Sequence, residues 1–348
     1  MKRERTLTIT FLLVALWALS PFAEAQTRGY WRFDQGFSSV VPDVSGNGLN
    51  GLLVNMNTGI DDGVTGYSED VPGTLITDGV TTNNNGFSMR FNNTNGGIVI
   101  TNPASLAIAS SDGVTVEAFV KLSSNPPAGN NFYLLYARAP EIAPEKPYTR
   151  IMTFFNPGAA GEPHMRQHVV SDLANSSSTI FSTDMTPSPI ALHHWHHVAW
   201  VRDGTRFRFY VDYQLINEVD QPSQEVGPYS NFNIVQLGAF NVNNSAGNLH
   251  GLLDEVRITE GPLAPEQFLR VVGGLPHKIR DIQPVGSDVS VTVITTEGEP
   301  YQLQGIVNLS SQPQNWVNLG GVFNGEKFYT ILTNPAPDML HYRAIRNP

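Results

Sequence analysis

Along much of the chain, apolar and polar residues alternate one for one. Val114-Thr115-Val116-Glu117-Ala118-Phe119-Val120 is one such run, and Phe207-Arg208-Phe209-Tyr210-Val211 is another. A period of two marks a strand with one face in a core and the other turned away. Asn47-Gly48, Asp112-Gly113, Asp203-Gly204 and Asn324-Gly325 punctuate these runs with residues suited to tight turns. The helical period is nearly absent. Only Pro262-Leu263-Ala264-Pro265-Glu266-Gln267-Phe268-Leu269 has the early proline and acidic first turn of a helix start. Many short strands with frequent turns predict an all-β chain built as an antiparallel sandwich.

Two stretches break the alternation. Residues 55–86 are rich in Asn, Gly, Thr and Asp, and residues 123–149 are rich in proline. Both read as long loops, which in a compact domain tend to carry function. Val272-Gly273-Gly274-Leu275-Pro276-His277-Lys278 reads as a linker, and a second β pattern runs from Val289 to Ile345. The predicted layout is therefore a first domain over 26–272, a linker over 273–278 and a small β-sandwich over 279–348.

Residues 1–25 read as a secretory signal peptide. Lys2, Arg3 and Arg5 form a basic start, Leu7 to Leu19 is apolar, and Ala23-Glu24-Ala25 is an A-x-A cleavage site before Gln26. The apolar run is shorter than the ~20 residues a membrane helix needs, so export rather than anchoring is expected. The destination is outside the cell or in its envelope. From Gln26 onward 18 basic residues face 29 acidic ones, a net charge of −11 that disfavours nucleic acid as a partner. Cysteine is absent, which removes disulfide frameworks, thiol nucleophiles and cysteine-held metals.

Four pieces in chain order carry a family resemblance. They are Gly29-Tyr30-Trp31-Arg32-Phe33-Asp34 with the loop Asp43 to Gly51, the strand Val114 to Val120, the hairpin from Trp195-His196-His197-Val198-Ala199 through Asp203-Gly204 to Asp212, and Gly251-Leu252-Leu253-Asp254-Glu255-Val256-Arg257-Ile258. Together they resemble LamG-like, concanavalin A-like jelly-roll domains of secreted bacterial proteins, over about residues 29–270. The resemblance implies a jelly-roll β-sandwich and a non-catalytic recognition function, with carbohydrate as the expected ligand. An adhesive or structural protein that binds another extracellular protein is the first alternative. A polysaccharide-degrading enzyme is the second. Tyr213 departs from the pattern, because glycine usually follows the aspartate of that turn, and the departure predicts a longer or differently built hairpin.

The resemblance also maps a structural calcium onto Asp254, on a last strand expected to lie beside the first. Asp34 would face it, and the loop from Asp43 to Asn50 would add oxygens, since Ca²⁺ takes six to eight of them. The competing reading has Asp254 pairing with Arg257 or capping a turn. His193-His194-Trp195-His196-His197 invites zinc, yet neighbours on a strand point to opposite faces, and the family reading makes Trp195 and His197 structural. A glycosidase needs two facing carboxylates. The E-x-D-x-x-E string of the related glucanases is missing, and the adjacent Asp254 and Glu255 are expected to point to opposite faces. For saccharide contact, Tyr133, Tyr136 and Tyr148 in the proline-rich excursion are the candidates, with Asn83–Asn85 and Asn241–Asn244 as amide donors.

Overall fold

A computed structural model of the protein describes residues 25–60, 63–108, 113–139, 150–158, 161–170, 190–220, 230–244, 247–272, 278–285, 288–294, 300–306, 317–324, 328–333 and 341–346. The proposed export segment apart from Ala25, residues 273–277 of the linker, and Tyr148 lie outside them.

Strands are numbered in chain order. The first large sheet runs β15 (Gln214–Asp220), β14 (Arg206–Val211), β13 (His196–Asp203), β9 (Gly113–Leu122), β17 (His250–Glu260), β7 (Ser88–Asn92), β4 (Gly66–Ser68), with β1 (Gln26–Trp31) also on β17. The second runs β12 (Pro163–Val170), β11 (Arg150–Pro157), β10 (Phe132–Arg138), β16 (Ile234–Leu237), β8 (Gly97–Ile100), β3 (Gly51–Val54), β2 (Val40–Val41). A small sheet joins β18 (Arg270–Val271), β5 (Leu75–Thr77) and β6 (Thr82–Asn84). The stretch 55–86, expected as loop, thus contains three short strands. Towards the C-terminus lie two three-stranded sheets, β19 (Lys278–Val285), β20 (Asp288–Ile294), β23 (Phe328–Thr333) and β22 (Val317–Asn324), β21 (Pro300–Ile306), β24 (His341–Arg346). Val291, Val293, Leu303 and Leu319 form a buried cluster of their own there.

The alternation read from sequence is what closes the sandwich. Val114, Val116, Ala118 and Val120 of β9 enter the core with Trp31, Trp200 and Phe209, against Phe132, Leu135, Phe155 and Leu237 of the second sheet. Trp31 also donates its indole N–H to the Leu49 carbonyl at 2.7 Å, so the large ring is buried without a polar cost. Gly251 is required where β17 meets β9, because a Cβ there would stand 2.2 Å from the Lys121 carbonyl oxygen.

The outward residues of the first sheet are covered by the chain itself. Leu263 and Phe268 pack on Ala199, Val201 and Tyr210, while Leu269 packs on Phe119 and Ile76. Beneath this strap Glu117 is fully buried, bound by Arg257 Nε at 2.7 Å, His197 Nε2 at 2.8 Å and the Leu269 N–H at 2.9 Å. Burial alone would raise the Glu117 carboxyl, but Arg257 and His197 overcome it and hold it below the usual range.

The hairpin at Tyr213 corrects the expectation of a longer turn. Val211 pairs with Gln214, so the turn has only Asp212 and Tyr213, at φ 48° and 68°. Left-handed φ costs a non-glycine residue about 1–2 kcal/mol. It is offset here by side-chain anchorage. The Tyr213 ring stacks on His197 at 4.8 Å, lies 4.2 Å under the Arg270 guanidinium, and its hydroxyl donates to the Leu269 carbonyl. Asp212 accepts from the His197 N–H at 3.0 Å and meets His196 Nδ1 at 2.7 Å.

Candidate functional site

β17 is flanked on one edge by β9 along its length. Its other edge is shared, with β7 reaching Leu253 opposite Met89 and β1 beginning at Val256 opposite Trp31. Asp254 and Glu255 occupy the gap between them. The register on β9 slips between Asp254 and Arg257, and Glu255 takes φ 52°. A bulge of this kind cancels the alternation of faces, so the expectation that the two carboxylates point apart is overturned. Both are fully buried, and Glu255 adds to the cost of charging Asp254. Sequence reading missed Glu255 and Asn85 here, since nothing local in Asp254-Glu255-Val256 announces the bulge.

Asp34 follows β1 and Asn85 precedes β7, which brings both to the same gap. Asn85 Nδ2 donates to Asp254 Oδ2 at 2.8 Å, and the Gly86 N–H donates to Asp34 Oδ1 at 2.8 Å. Arg32 lies 2.6 Å from Asp34 Oδ2 and 3.4 Å from Glu255 Oε1, and it also donates to the Asn84 carbonyl. Tyr30 donates its hydroxyl to Glu255. Burial raises the carboxyls of Asp34 and Asp254, the latter well above the usual range with Glu255 adding to the effect. Burial also lifts Glu255 to about 7, against the opposing pull of Tyr30 and Arg32.

Three carboxylates against one guanidinium leave a charge deficit, and buried charge is costly unless compensated. Asn85 Oδ1 is buried with no hydrogen bond, and Asp34 Oδ2 has no aligned donor. Charge and hard oxygen donors both suit a divalent cation such as Ca²⁺. The side chains nevertheless close on Arg32, and among the described residues no three acidic or histidine groups are arranged around one point as a metal requires. Asp43 does not join them. Its Oδ1 accepts the N–H groups of Tyr30 and Ser45 at 3.0 and 2.9 Å, and its Oδ2 that of Leu49 at 3.0 Å, so it organises its own loop.

A second group of residues lies on the outward face of the second sheet. Register partners line up across all seven strands as His168, Met152, Tyr136, Gln236, Val99, Leu52 and Val40. On one side of this row Arg150 stands opposite Arg138. On the other, Arg166 stands opposite Phe154, which is opposite Tyr133. Tyr133 stacks on Phe154 with centroids 4.9 Å apart, and Phe240 caps both Tyr133 (5.1 Å) and Tyr136 (4.7 Å). Gly247 permits this approach, since a Cβ there would be 2.8 Å from Phe240 Cβ.

The structure thus brings Tyr133 and Tyr136 together on one face, but 8% and 4% exposed they are its floor rather than its surface. The ring that reaches solvent is Phe240, 40% exposed, and sequence reading passed it over beside Asn241–Asn244. Of Asn83–Asn85, read as amides for the same role, Asn85 and the Asn84 carbonyl sit instead at the acidic gap, and Asn83 pairs with Ile76 in the small sheet. Gln236 Oε1 and His168 Nδ1 are buried atoms with no hydrogen-bond partner among the described residues. Burial and then Arg150 and Arg166 lower the His168 imidazole to about 4, so it is neutral at physiological pH.

A family model described as the concanavalin A-like lectin/glucanases superfamily matches residues 91–267, half of the chain. This chain belongs to that superfamily. The matched part of this lectin/glucanase-superfamily chain contains the whole of β8 to β17 and thus both Asp254 and the Tyr133–Tyr136–Phe240 face. It is similar in structure to domain 4 of an extracellular arabinanase from Geobacillus stearothermophilus, solved with arabinotriose (TM-score 0.45, 20% identity, 70% of this chain and 96% of that one). It is also similar to Trypanosoma rangeli sialidase (TM-score 0.41, 13% identity, 70% of this chain), of which it spans 32%. The CBM40 of a Ruminococcus gnavus sialidase, solved with α2,3-sialyllactose, is a further neighbour (TM-score 0.34, 14% identity, 44% of this chain and 78% of that one). No curated protein sequence matches the chain.

Proposed function

We propose that this chain is an exported, non-catalytic carbohydrate-recognition protein whose ligand lies on the outward face of the second sheet. The observation that carries the reading is the exposed Phe240 ring set on Tyr133 and Tyr136. An aromatic face stacks on the apolar side of a pyranose. Superfamily membership favours carbohydrate over other ligands without choosing between lectin and glucanase. Against catalysis, the adjacent carboxylates of Asp254 and Glu255 are buried and engaged by Arg32, Tyr30 and Asn85.

Asp34, Asp254 and Asn85, with Asp43 outside the set, would hold a structural calcium in the gap between β7 and β1 only once Asp34 turns from Arg32 and the three oxygens converge on one point. When bound, the ion supplies positive charge to the buried carboxylates and ties the first strand to the last.

A glycan array probed with the chain from Gln26 in calcium and again in EDTA tests both parts. Binding to a saccharide class, reduced by Phe240→Ala, is the expected result. Silence across the array transfers the reading to a protein partner. Reducing-end release from a polysaccharide that is lost in a carboxylate variant overturns the non-catalytic reading.

A further inference from the structure

The seven strands of the second sheet contain arginine at 138, 150 and 166 and not one Asp or Glu. This is unexpected in a chain with 31 acidic and 21 basic residues, and the eight strands of the first sheet carry both signs freely. The three arginines all share the outward face, by register. Arg138 is two residues from Tyr136 on one strand, about 7 Å away. Arg150 is directly opposite Arg138, and Arg166 is directly opposite Phe154. The guanidiniums therefore stand on both sides of the row that holds His168, Tyr136 and Gln236. Arg138 and Arg150 thus form a cross-strand pair of like charge on the face that carries the aromatic rings. Each of these arginines has contacts of its own, but a guanidinium offers five N–H donors in a planar fork that suits carboxylate and sulfate.

We propose that the saccharide taken by this face is anionic, bearing a carboxylate or sulfate that Arg138 and Arg150 receive while Phe240 stacks on the ring. The inference rests on the carbohydrate reading and adds the ligand's charge. The low value of the His168 imidazole agrees with it, because the positive field of Arg150 and Arg166 that keeps a proton off His168 is the field an anion would enter. The net charge of −11 beyond the export segment sets a size limit on the ligand. A long polyanion would run past Arg138 and Arg150 into the protein's overall negative field. The fit is to a short acidic oligosaccharide or to one acidic residue at a chain end.

Isothermal titration of the chain from Gln26 with matched pairs tests this. One pair is an oligogalacturonide and its methyl ester, and the other a sulfated galactan oligosaccharide and its desulfated parent. The expected result is at least tenfold tighter binding of an acidic member than of its neutral partner, weakening as salt rises from 50 to 300 mM. The two pairs say whether carboxylate or sulfate is the anion. Arg138→Gln and Arg150→Gln should each cost the acidic ligand about tenfold while leaving the weak neutral binding in place. Arg150→Lys, which keeps the charge, should recover part of the loss and serves if a glutamine variant melts early. Equal binding of acidic and neutral partners overturns this inference and leaves carbohydrate recognition standing. Acid-selective binding that survives both glutamine variants, with unchanged melting curves, also overturns it. No binding to any of the four, nor to any neutral glycan on the array, overturns both.

Discussion

The two large sheets share one core and differ almost entirely in what they turn outward. The first carries seven acidic and seven basic side chains in its strands, and outward residues of β9, β13 and β14 are roofed by the strap of residues 261–272. Ion pairs such as Arg28–Glu260, Arg257–Glu117 and Arg208–Glu218 use up that charge within the sheet. The strands of the second contain no Asp or Glu, three arginines and a layer of aromatic rings. Strand alternation specifies only that outward residues are unlike the core. Whether that face serves stability or recognition is decided by the covering segment and by how the charges on it are balanced.

The largest effect should come from breaking the roofed side. Glu117→Ala leaves Arg257 buried without its carboxylate, a defect worth about 3–5 kcal/mol. At ~2–4 °C per kcal/mol for a domain of this size, that is roughly a 10 °C fall in the midpoint of thermal unfolding. Saccharide affinity of the folded fraction should stay unchanged, because Glu117 acts only on the first sheet. A large loss of affinity with little loss of stability would show that the two faces do not divide the work as described.

The acidic gap gives the next effect. Saturating calcium at about 100 times its dissociation constant should add ~2.7 kcal/mol to stability. Asp254→Asn should abolish that gain. In EDTA the same substitution should change stability little, since it removes a buried carboxylate that burial disfavours but leaves one oxygen for the two N–H groups, of Asn85 and Glu255, that Asp254 accepts. Equal melting curves with and without calcium in the native chain would exclude the ion.

Much of this was legible beforehand, and the boundary is physical. Period-two runs such as Val114–Val120 and Phe207–Val211 gave strands β9 and β14, and the pairing of the first and last strands places Asp34 near Asp254. The misreadings share one cause, which is backbone geometry set by distant contacts. Glu255 joins Asp254 only because a bulge opens where β7 hands over to β1. Tyr213 holds a left-handed turn only because His197, Arg270 and Leu269 grip its side chain. Asp43 looked like a ligand because its chemistry suits one, while three backbone N–H groups had already claimed its oxygens. The arginine face was invisible because Arg138, Arg150 and Arg166 lie on three strands, and only register brings them together.

The two sides should also titrate in opposite directions. The Glu255 carboxyl rises to about 7 in the folded protein, above its ordinary value, so the folded state binds the extra proton. Its contribution to metal-free stability is greatest at acid pH and is lost as pH climbs from about 4.5 towards 7. His168 falls to about 4, so there the unfolded state binds the extra proton. Its contribution is present above about 6.5 and is lost as pH drops towards 4. Glu117, held low, adds to the acid-side loss below its own ordinary value. Chemical denaturation in EDTA across pH 4–8 should therefore soften its neutral-side decline in Glu255→Gln, with Asp254 carrying the rest, and soften its acid-side decline in His168→Asn. Either substitution acting on the other limb would break the assignment.

The smallest change in stability is expected from Phe240→Ala, and it draws the sharpest line between the two sheets. Phe240 is 40% exposed and touches the molecule through Tyr133 and Tyr136, so removing its ring forfeits ring contacts worth about 1 kcal/mol. That is a shift of only a few degrees in the unfolding midpoint. If the ring is the platform on which a sugar stacks, its loss should weaken binding about tenfold or more, as a central aromatic contact does. Leu215→Ala is the matched control, an apolar residue 52% exposed on β15, the edge strand of the first sheet. It should cost a similar amount of stability and leave the titration curve unchanged. A pair of variants equal in melting and unequal in binding is what a recognition face on the second sheet demands, and equality in both would return Phe240 to the ordinary apolar surface of a sandwich.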